Sequence, residues 1–318
     1  MSTLKIITLT YPISLNDIEL NDQSFSIALG HFDGVHRGHQ QVIHKAIQTA
    51  KERGIASAVM TFHPHPKAIL GQGEQYYQCL TPSDTKLRLF QELGVDYVFV
   101  VSFDMQFSAI TPHAFVEEIL KKLSVVNVVA GFDFRFGARG AGNTEVLKEL
   151  CASDISVEVV EAFEIDGIKV SSTVIREYLE QGQIEQANHL LGRRFSVEGT
   201  VVTGDQRGRT IGFPTANLLL AAPYVTISLG VYAVKAYLGN RRFHGVLNHG
   251  MKPTFNKDDI VPVMEAHLLD FSEDIYGEHM QIEFVSFIRK EQRFSGIQQL
   301  IEQIGQDAAQ AKELLSRN

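Results

Sequence analysis

The feature that most constrains the fold is the segment Leu29–His39, LGHFDGVHRGH. Its first residue, Leu29, is also the last residue of the apolar run Phe25–Leu29, which is typical of a buried strand. After it, apolar residues recur at helical spacing over Val42–Ala50, and Gly54 is placed to end that helix. A strand, a glycine turn and a helix N-terminus together present outward-pointing backbone amides, which bind anions. The segment therefore predicts a phosphate site at the edge of a sheet.

Two histidines lie at the start of this predicted helix. His36 and His39 are three residues apart, so both side chains face the same way. Imidazoles there can donate hydrogen bonds to phosphate oxygens as charge builds in a transition state. Gly38 lacks the Cβ that would crowd a phosphate, and Gly30 and Gly34 also allow close approach of the backbone. Two surface histidines in a loop are the alternative, which the strand before and the helix after disfavour.

Alternating strand and helix patterns continue for about 180 residues and predict a parallel sheet covered on both faces. The predicted strands are Lys5–Leu9, Phe25–Leu29, Ile55–Phe62, Val95–Val101, Val125–Ala130 and Ile155–Val160. Ligands of such sheets bind beyond the carboxyl ends of the strands. One loop there, FHPHP, carries His63 and His65; two histidines are a weak zinc signal, so we interpret it as a ligand-facing loop. We expect no helix to continue directly from its prolines.

A second polar motif, VSSTVIREYLEQG, follows the last of these strands. Ser172 and Thr173 can cap a helix, and Arg176 lies in its first turns. Hydroxyls and a guanidinium on one helix face can bind phosphates. An ordinary capped helix with an exposed arginine is the alternative. Ile184–Leu191 is expected to form a short helix.

From Phe195 onward the pattern changes to short β-rich segments separated by turn residues, which predicts an antiparallel barrel. The predicted strands are Phe195–Val202, Gly230–Ala236, Phe243–Leu247, Val261–Leu269 and Gln281–Ile288. The tail is a predicted helix. Its apolar stripe, which we expect to pack on the barrel, consists of Ile297, Leu300, Ile301 and Ile304.

The segment GDQRGRTIGFPTANL is the most specific string of the second half. Its glycines permit a tight backbone near phosphates and its arginines add charge: Gly204, Gly208, Gly212, Arg207 and Arg209. Thr215 and Asn217 are two apart, so an extended chain points both to one side. A hydroxyl and an amide oxygen are hard ligands that suit Mg²⁺. A glycine-rich hairpin is the alternative.

An alternating segment, VMEAHL, places Glu265 and His267 on one face of a predicted strand. Met264, Ala266 and Leu268 are expected to face the barrel core. A carboxylate beside a phosphate and metal site can accept a proton from an attacking hydroxyl. A surface glutamate is the alternative.

These motifs resemble those of known enzymes. GHFDGVHRGH resembles the H-x-G-H signature of the nucleotidylyltransferase superfamily, in its flavin-adenylating branch, and VSSTVIR is similar to that superfamily's I-S-S-T-x-I-R motif. G-x-P-T-A-N with R-G-R, GVLNHGMKPTF, MEAHLLDF and IRKEQRF resemble the riboflavin kinase domain. The chain as a whole resembles the prokaryotic bifunctional riboflavin kinase/FAD synthetase (FMN adenylyltransferase) family.

The resemblance implies a fold and two reactions. Residues 1–185 would form a Rossmann-like nucleotidylyltransferase domain with a parallel sheet. Residues 186–318 would form a Greek-key antiparallel β-barrel with a C-terminal helix. The barrel would phosphorylate riboflavin to FMN with Mg·ATP, and the first domain would adenylylate FMN to FAD with release of pyrophosphate.

The resemblance also implies residue roles. Glu265 would be the base of the kinase, Thr215 and Asn217 would hold Mg²⁺, and His36, His39 and Arg176 would stabilise charge in the adenylyl transfer. The residues implied to bind nucleotide or flavin are Gly30, Phe32, Asp33, Gly34, Gly38, Asp133, Ser172, Thr173, Gly204, Arg207, Gly208, Arg209, Gly212, Pro214, Asn217, Asn248 and Arg293. Two positions depart from the family pattern, since Asp133 stands where Asn is common and His249 where an apolar residue is usual.

Composition limits the remaining classes of function. A chain of 318 residues with 44% hydrophobic residues can bury two cores, and no stretch approaches the ~18 apolar residues of a membrane span. A net charge of −8 without a long basic run argues against a nucleic-acid partner. Cys79 and Cys151 are the two cysteines, which suits a reduced compartment, and the N-terminus lacks a secretory signal. We therefore expect a cytoplasmic enzyme with small-molecule substrates, as a monomer or weak homo-oligomer.

Three other functions are possible. A monofunctional FMN adenylyltransferase with a flavin-sensing barrel is disfavoured because Thr215, Asn217 and Glu265 are all present. A flavin-dependent regulator of RNA is disfavoured by the acidic charge. An adenylyltransferase for another phosphorylated cofactor would leave the second half without a role.

Overall fold

The computed structural model describes residues 3–14, 20, 23–204, 208, 211–253 and 260–317. The chain divides into two compact units, Met1–Ser172 and Thr173–Asn318. Each unit is built around its own sheet, as the two predicted domains require. The functional boundary between residues 185 and 186 stays a prediction.

The first unit contains a six-stranded parallel sheet in the order β1-β4-β3-β2-β5-β6. Its strands are β1 (Lys5–Leu9), β2 (Phe25–Leu29), β3 (Ala56–His63), β4 (Tyr97–Ser102), β5 (Val125–Gly131) and β6 (Ser156–Val160). Every residue of the central strand β2 is buried, as expected for a strand covered on both faces. The predicted parallel sheet is therefore confirmed. A small hairpin of β7 (Glu164–Ile165) and β8 (Ile168–Lys169) follows it.

Helices cover both faces of this sheet. They are α1 (Arg37–Arg53), α2 (Pro66–Ile69), α3 (Ser83–Glu92), α4 (Met105–Ser108), α5 (Pro112–Phe115, continued by a π-helical turn Val116–Leu120) and α6 (Thr144–Cys151), with 3₁₀ turns at Glu74–Tyr77 and Ala138–Gly140. Gly54 ends α1 in the left-handed conformation, as predicted. The expectation that no helix continues from FHPHP is wrong, because Pro66 starts α2. Proline at the first helical position loses no intrahelical hydrogen bond.

The second unit begins with two helices, α7 (Ser172–Glu180, whose first residue closes the first unit) and α8 (Ile184–Leu191). A closed barrel of six antiparallel strands follows, in the order β10-β13-β12-β11-β14-β9. Its strands are β9 (Ser196–Val202), β10 (Ala216–Leu220), β11 (Gly230–Leu238), β12 (Arg241–Pro253), β13 (Ile260–Leu268) and β14 (His279–Arg289). Strand β14 returns to lie beside β11 after the β11-β12-β13 meander, which is the Greek-key arrangement. The predicted barrel is confirmed.

Two expectations for this unit need correction. The sequence pattern predicts five barrel strands, and β10 is a sixth. This strand begins near the end of the segment GDQRGRTIGFPTANL, for which a glycine-rich hairpin is the alternative prediction. Its pairing with both β9 and β13 is a long-range property that local pattern does not reveal. The C-terminal helix, α9 (Ile297–Ser316), buries Asp307, Ala311 and Leu315, whereas Ile297 is 63% exposed. The expected apolar stripe is therefore wrong at its start.

Within the described ranges, no helix combines the length and the apolar character needed to span a membrane.

Candidate active sites

The turn that precedes α1 adopts a strained backbone. Phe32, Gly34 and Val35 have φ values of 56°, 90° and 40°, a region that glycine adopts readily and a β-branched residue rarely does. Hydrogen bonds fix the strained residue: the Val35 amide donates to the Phe32 carbonyl (3.1 Å), and the Gln40 side chain donates to the Val35 carbonyl (2.9 Å). A backbone conformation of this kind is unfavourable by itself and is kept only where surrounding contacts hold it in place. Such conformations cluster at functional sites.

The two histidines of the turn lie together, as predicted. His36 is the N-cap of α1, and its Nδ1 accepts a hydrogen bond from the His39 amide at 3.2 Å. Their rings stack with centroids 3.5 Å apart and an angle of 16° between the planes. An Nδ1 that accepts this bond leaves Nε2 as the protonated nitrogen, which is a hydrogen-bond donor. The His36 ring is therefore oriented by the helix that it caps.

The glycines of the turn make room for its own side chains. A Cβ on Gly38 would lie 3.3 Å from the His36 ring and 3.4 Å from the Val170 carbonyl oxygen. A Cβ on Gly30 would lie 2.8 Å from the Phe32 ring, which is a buried core side chain at 3% exposure. Gly38 thus makes space for the His36 ring, and the space that it would leave for a phosphate stays a prediction.

Asp33 joins three parts of the first unit. Its carboxylate is buried and accepts hydrogen bonds from the Leu80 and Thr81 amides at 3.0 and 3.2 Å. Its carbonyl accepts a hydrogen bond from the Ser172 hydroxyl at 2.8 Å. The fold therefore brings the start of the second polar motif against the first. Thr173 continues that motif in α7, within the second unit, as does Arg176.

Asp133 lies just beyond the carboxyl end of β5. Its side chain is 66% exposed and forms an ion pair with Lys169 at 3.4 Å. The Lys169 ammonium also lies 4.5 Å from the centre of the Phe132 ring. The partner of the Asp133 carboxylate is thus a cation, Lys169, which lies on the β7–β8 hairpin.

The histidines of the FHPHP loop have local structural partners. His65 Nδ1 accepts a hydrogen bond from the Lys67 amide and caps α2, and His63 Nδ1 lies 3.2 Å from the Ser83 hydroxyl. Among the residues that the structure describes, no three His, Cys, Asp or Glu side chains are arranged to hold a metal ion.

In the barrel, three predicted site residues lie in one row across adjacent strands. Glu265 of β13 is directly opposite Asn217 of β10 on one side and Asn248 of β12 on the other. Directly paired residues point to the same face with Cβ atoms about 5 Å apart. The predicted alternation is confirmed, because Met264, Ala266 and Leu268 are buried, whereas Glu265 and His267 line a cavity.

That cavity has a volume of about 380 Å³, within the size range of small-molecule sites. Glu265 enters it with a side chain that is 19% exposed, and the Lys252 ammonium lies 2.5 Å from one of its carboxylate oxygens. The apolar part of the wall comes from both the barrel and α9: Phe213, Val231, Val246, Phe294, Leu300 and Ile304. The site therefore combines an apolar wall with two ion pairs, Lys252–Glu265 and Arg289–Asp307.

A second cavity of about 330 Å³ lies beside the first. Pro214, Thr215 and Ala216 line it, together with the segment Phe271–Tyr276. Thr215 lines both cavities. The start of β10 thus separates two sites of ligand size and touches both.

The glycines of the β10 motif keep its backbone close to polar side chains. A Cβ on Gly204 would lie 2.1 Å from the Asn217 amide nitrogen, so only glycine fits against that side chain. Gly208 accepts a hydrogen bond from the Phe213 amide at 2.9 Å, and Gly212 has a positive φ of 87°. The His267 Nδ1 donates to the Pro214 carbonyl at 2.8 Å, which fixes the residue before Thr215. Arg207 and Arg209 lie outside the described residues.

Sequence reasoning missed part of the barrel site. Arg293 is exposed, whereas Arg289 lines the larger cavity and makes a bidentate ion pair with Asp307 of α9, its shortest contact 2.7 Å. Asp307 is 3% exposed, and such an arginine–carboxylate fork is geometrically specific. A period-two pattern could not have found Arg289, because two register shifts in the pairing of β14 with β11 interrupt the alternation just before it. Lys252, which pairs with Glu265, was also missed.

The comparisons with known proteins cover both halves of the chain. Residues 18–174 match the family model of FAD synthetase, and residues 191–315 match that of riboflavin kinase. A Bacillus subtilis protein named bifunctional riboflavin kinase/FMN adenylyltransferase is 41% identical over 97% of both chains. An Escherichia coli protein of the same name is 38% identical over 90% of this chain and 91% of its own.

A crystal structure described as a macrolide-efflux protein from Streptococcus pneumoniae has the same fold, with a TM-score of 0.87 and 31% identity over 96% of this chain and 99% of its own. The two family models lie in the order in which the structure places the parallel sheet and the barrel. The match to both family models, together with relatives named for both activities, favours the bifunctional enzyme over the monofunctional alternative. The chain therefore belongs to the bifunctional riboflavin kinase/FMN adenylyltransferase family.

Proposed function

We propose that this chain phosphorylates riboflavin to FMN in its barrel and adenylylates FMN to FAD in its first unit, using ATP in both reactions. The observation that carries the proposal is the row of Asn217, Glu265 and Asn248 beside two cavities that share Thr215. A kinase needs two adjoining substrate sites with a base and phosphate ligands between them. A flavin sensor would need one site and no base.

In the kinase reaction, the ribityl 5′-hydroxyl of riboflavin attacks the γ-phosphorus of ATP, the bond from that phosphorus to the β,γ-bridging oxygen breaks, and ADP leaves. The flavin occupies the larger cavity, because the base must touch the hydroxyl and Glu265 lies there. ATP occupies the cavity lined by Phe271–Tyr276, with its phosphates directed towards Thr215. Glu265 accepts the hydroxyl proton, and the protein otherwise contributes mainly positioning and charge neutralisation. Arg289 supports the flavin side of the site in this proposal, since it lines the same cavity.

Thr215 and Asn217 would hold Mg²⁺ in this reaction. Their hydroxyl and amide oxygens are hard ligands, and the backbone at Gly204 forms a cradle around the Asn217 amide that a Cβ would fill. A few protein ligands suffice, since Mg²⁺ takes its remaining ligands from phosphates and water. The ion, when bound, neutralises charge on the transferred phosphoryl group.

In the second reaction, a phosphate oxygen of FMN attacks the α-phosphorus of ATP, the bond to the bridging oxygen breaks, and pyrophosphate leaves. FMN supplies the nucleophile, so the protein needs none. His36 and His39 donate hydrogen bonds to the charge that develops, next to the amides at the start of α1. Arg176, Ser172 and Thr173 bind phosphates in this proposal.

The other predicted ligand contacts stay predictions. They comprise Gly30, Phe32, Asp33, Gly34, Gly38, Asp133, Gly204, Arg207, Gly208, Arg209, Gly212, Pro214, Asn248 and Arg293. The same holds for a cytoplasmic location, for the absence of a nucleic-acid partner and for a monomer or weak homo-oligomer.

The test is to incubate the purified full-length protein with riboflavin, ATP and Mg²⁺ and to separate the flavins by chromatography. FMN should form first and FAD second, and a chelator should stop both. Formation of FAD from added FMN, without phosphorylation of riboflavin, would favour the monofunctional alternative. Formation of neither product would contradict the proposal.

A further inference from the structure

A buried lysine lies beneath the turn of the first unit and belongs to none of the motifs discussed above. Lys86 of α3 is 5% exposed. Its ammonium donates to the His31 carbonyl and to the Thr61 hydroxyl, both at 3.1 Å. Both acceptors are neutral oxygens, so the positive charge is buried without a carboxylate as hydrogen-bond partner. A buried charge of this kind is costly and is retained where it has a function.

The position of Lys86 connects it to the turn that carries the histidines. His31 lies between β2 and the strained residues, and Thr61 lies near the end of β3. The Thr61 hydroxyl itself donates to the His31 carbonyl at 2.9 Å, so three groups meet at one point. Just before α3, the Leu80 and Thr81 amides bind the Asp33 carboxylate. The turn is therefore held at two places: by the Leu80 and Thr81 amides just before α3, and by the Lys86 ammonium within α3.

We propose that Lys86 is a positioning residue for the adenylyl transfer, which fixes the turn that carries His36 and His39 and places a buried positive charge beneath the site for the ATP phosphates. The proposal rests on the proposed function. Charge acts over a long range in a poorly solvated interior, so the ammonium favours a polyphosphate without touching it. Because the chain as a whole carries a net charge of −8 at pH 7, a local cation beneath the site matters more for binding a polyphosphate.

The ionisation of Lys86 gives a distinguishing signal. Burial lowers its pKa from 10.5 to about 8, while the nearby Asp33 and Cys79 act in the opposite direction. Burial together with Lys86, His65 and His63 holds the pKa of His31 well below 6.5, so His31 is neutral where the enzyme would work. The ammonium is therefore the group beneath the turn that loses charge when the pH rises through about 8.

The experiment compares Lys86→Met and Lys86→Gln with the wild-type chain, using FAD formation from added FMN. Both variants should lose FAD formation by up to ~100-fold, as small misplacements near reacting groups do. Wild-type kcat/KM should fall as the pH passes about 8, and this fall should be absent in both variants. Riboflavin phosphorylation by the same chain is the control and should be unchanged.

Thermal unfolding separates positioning from a merely structural role. Removing a buried charge whose hydrogen-bond acceptors are both neutral should leave the unfolding midpoint unchanged or raised, and the His31 carbonyl keeps its bond from Thr61. Variants that lose stability and activity together, while the alkaline fall of kcat/KM persists, would overturn the proposal. Variants with wild-type FAD formation would also overturn it. Failure of the wild-type chain to make FAD would instead contradict the proposed function.

Discussion

Substitution of His36 should separate its structural role from its catalytic role, because one imidazole serves both. Its Nδ1 caps α1 by accepting the His39 amide at 3.2 Å, whereas Nε2 is the nitrogen proposed to act on phosphate. His36→Ala removes both functions. His36→Asn keeps a side-chain oxygen that can accept the same amide. His39→Ala leaves the cap in place and removes the second imidazole.

The expected magnitudes differ accordingly. Loss of an N-cap costs about 1 kcal/mol, which corresponds to roughly 2–4 °C in the unfolding midpoint of a unit of this size. His36→Ala should therefore unfold at a lower temperature than His36→Asn or His39→Ala. Loss of a transition-state donor costs ~10²–10³ in rate, so all three variants should form FAD slowly. The double variant His36→Ala/His39→Ala should accumulate FMN.

The assay follows both reactions in one chain. FAD formation from FMN and ATP reports the first unit, riboflavin phosphorylation reports the barrel, and circular dichroism reports the unfolding of each variant. Riboflavin phosphorylation should be unchanged in all three variants, which excludes general misfolding. FAD formation by His36→Asn within a factor of two of wild type would refute the catalytic role. Equal unfolding midpoints for His36→Ala and His39→Ala would refute the capping role.

Four further substitutions test other parts of the two sites. Gly38→Ala should slow FAD formation by displacing the His36 ring, without loss of stability, because alanine favours a helix by about 1 kcal/mol over glycine; a faster enzyme would contradict this. Glu265→Gln should slow riboflavin phosphorylation ~10²–10⁴-fold and leave FAD formation from FMN unchanged; full phosphorylation would favour a barrel without kinase function. Lys252→Met should destabilise the barrel by ~1–2 kcal/mol, a value that allows for the partial exposure of the ion pair with Glu265. It should also slow riboflavin phosphorylation. An unchanged midpoint of chemical denaturation would show that the ion pair is weak. Asp133→Asn should change the free energy of unfolding by less than ~1 kcal/mol, since the ion pair with Lys169 is exposed. It should lower the KM for ATP in FAD synthesis, because it removes a carboxylate that would repel phosphate. A raised KM would mean that the carboxylate is needed.

Local sequence determined the elements that carry the sites. The turn before α1, the ends of that helix and the alternation around Glu265 follow from hydrogen-bonding geometry within a few residues. Helix α8 has the predicted bounds, Ile184–Leu191, for the same reason. Motif resemblance added the identity of the family, which the comparisons confirmed.

Tertiary structure alone decided which distant residues meet. The row of Asn217, Glu265 and Asn248 depends on the register of three strands, and a shift of one residue would turn every side chain to the other face. The same applies to Arg289 of β14, whose pairing with the buried Asp307 of α9 joins two elements that are apart in the sequence. Burial of Lys86 likewise arises only when α3 packs beneath the turn. A sequence pattern records periodicity along the chain, whereas register, burial and ion pairing depend on elements that are far apart in it.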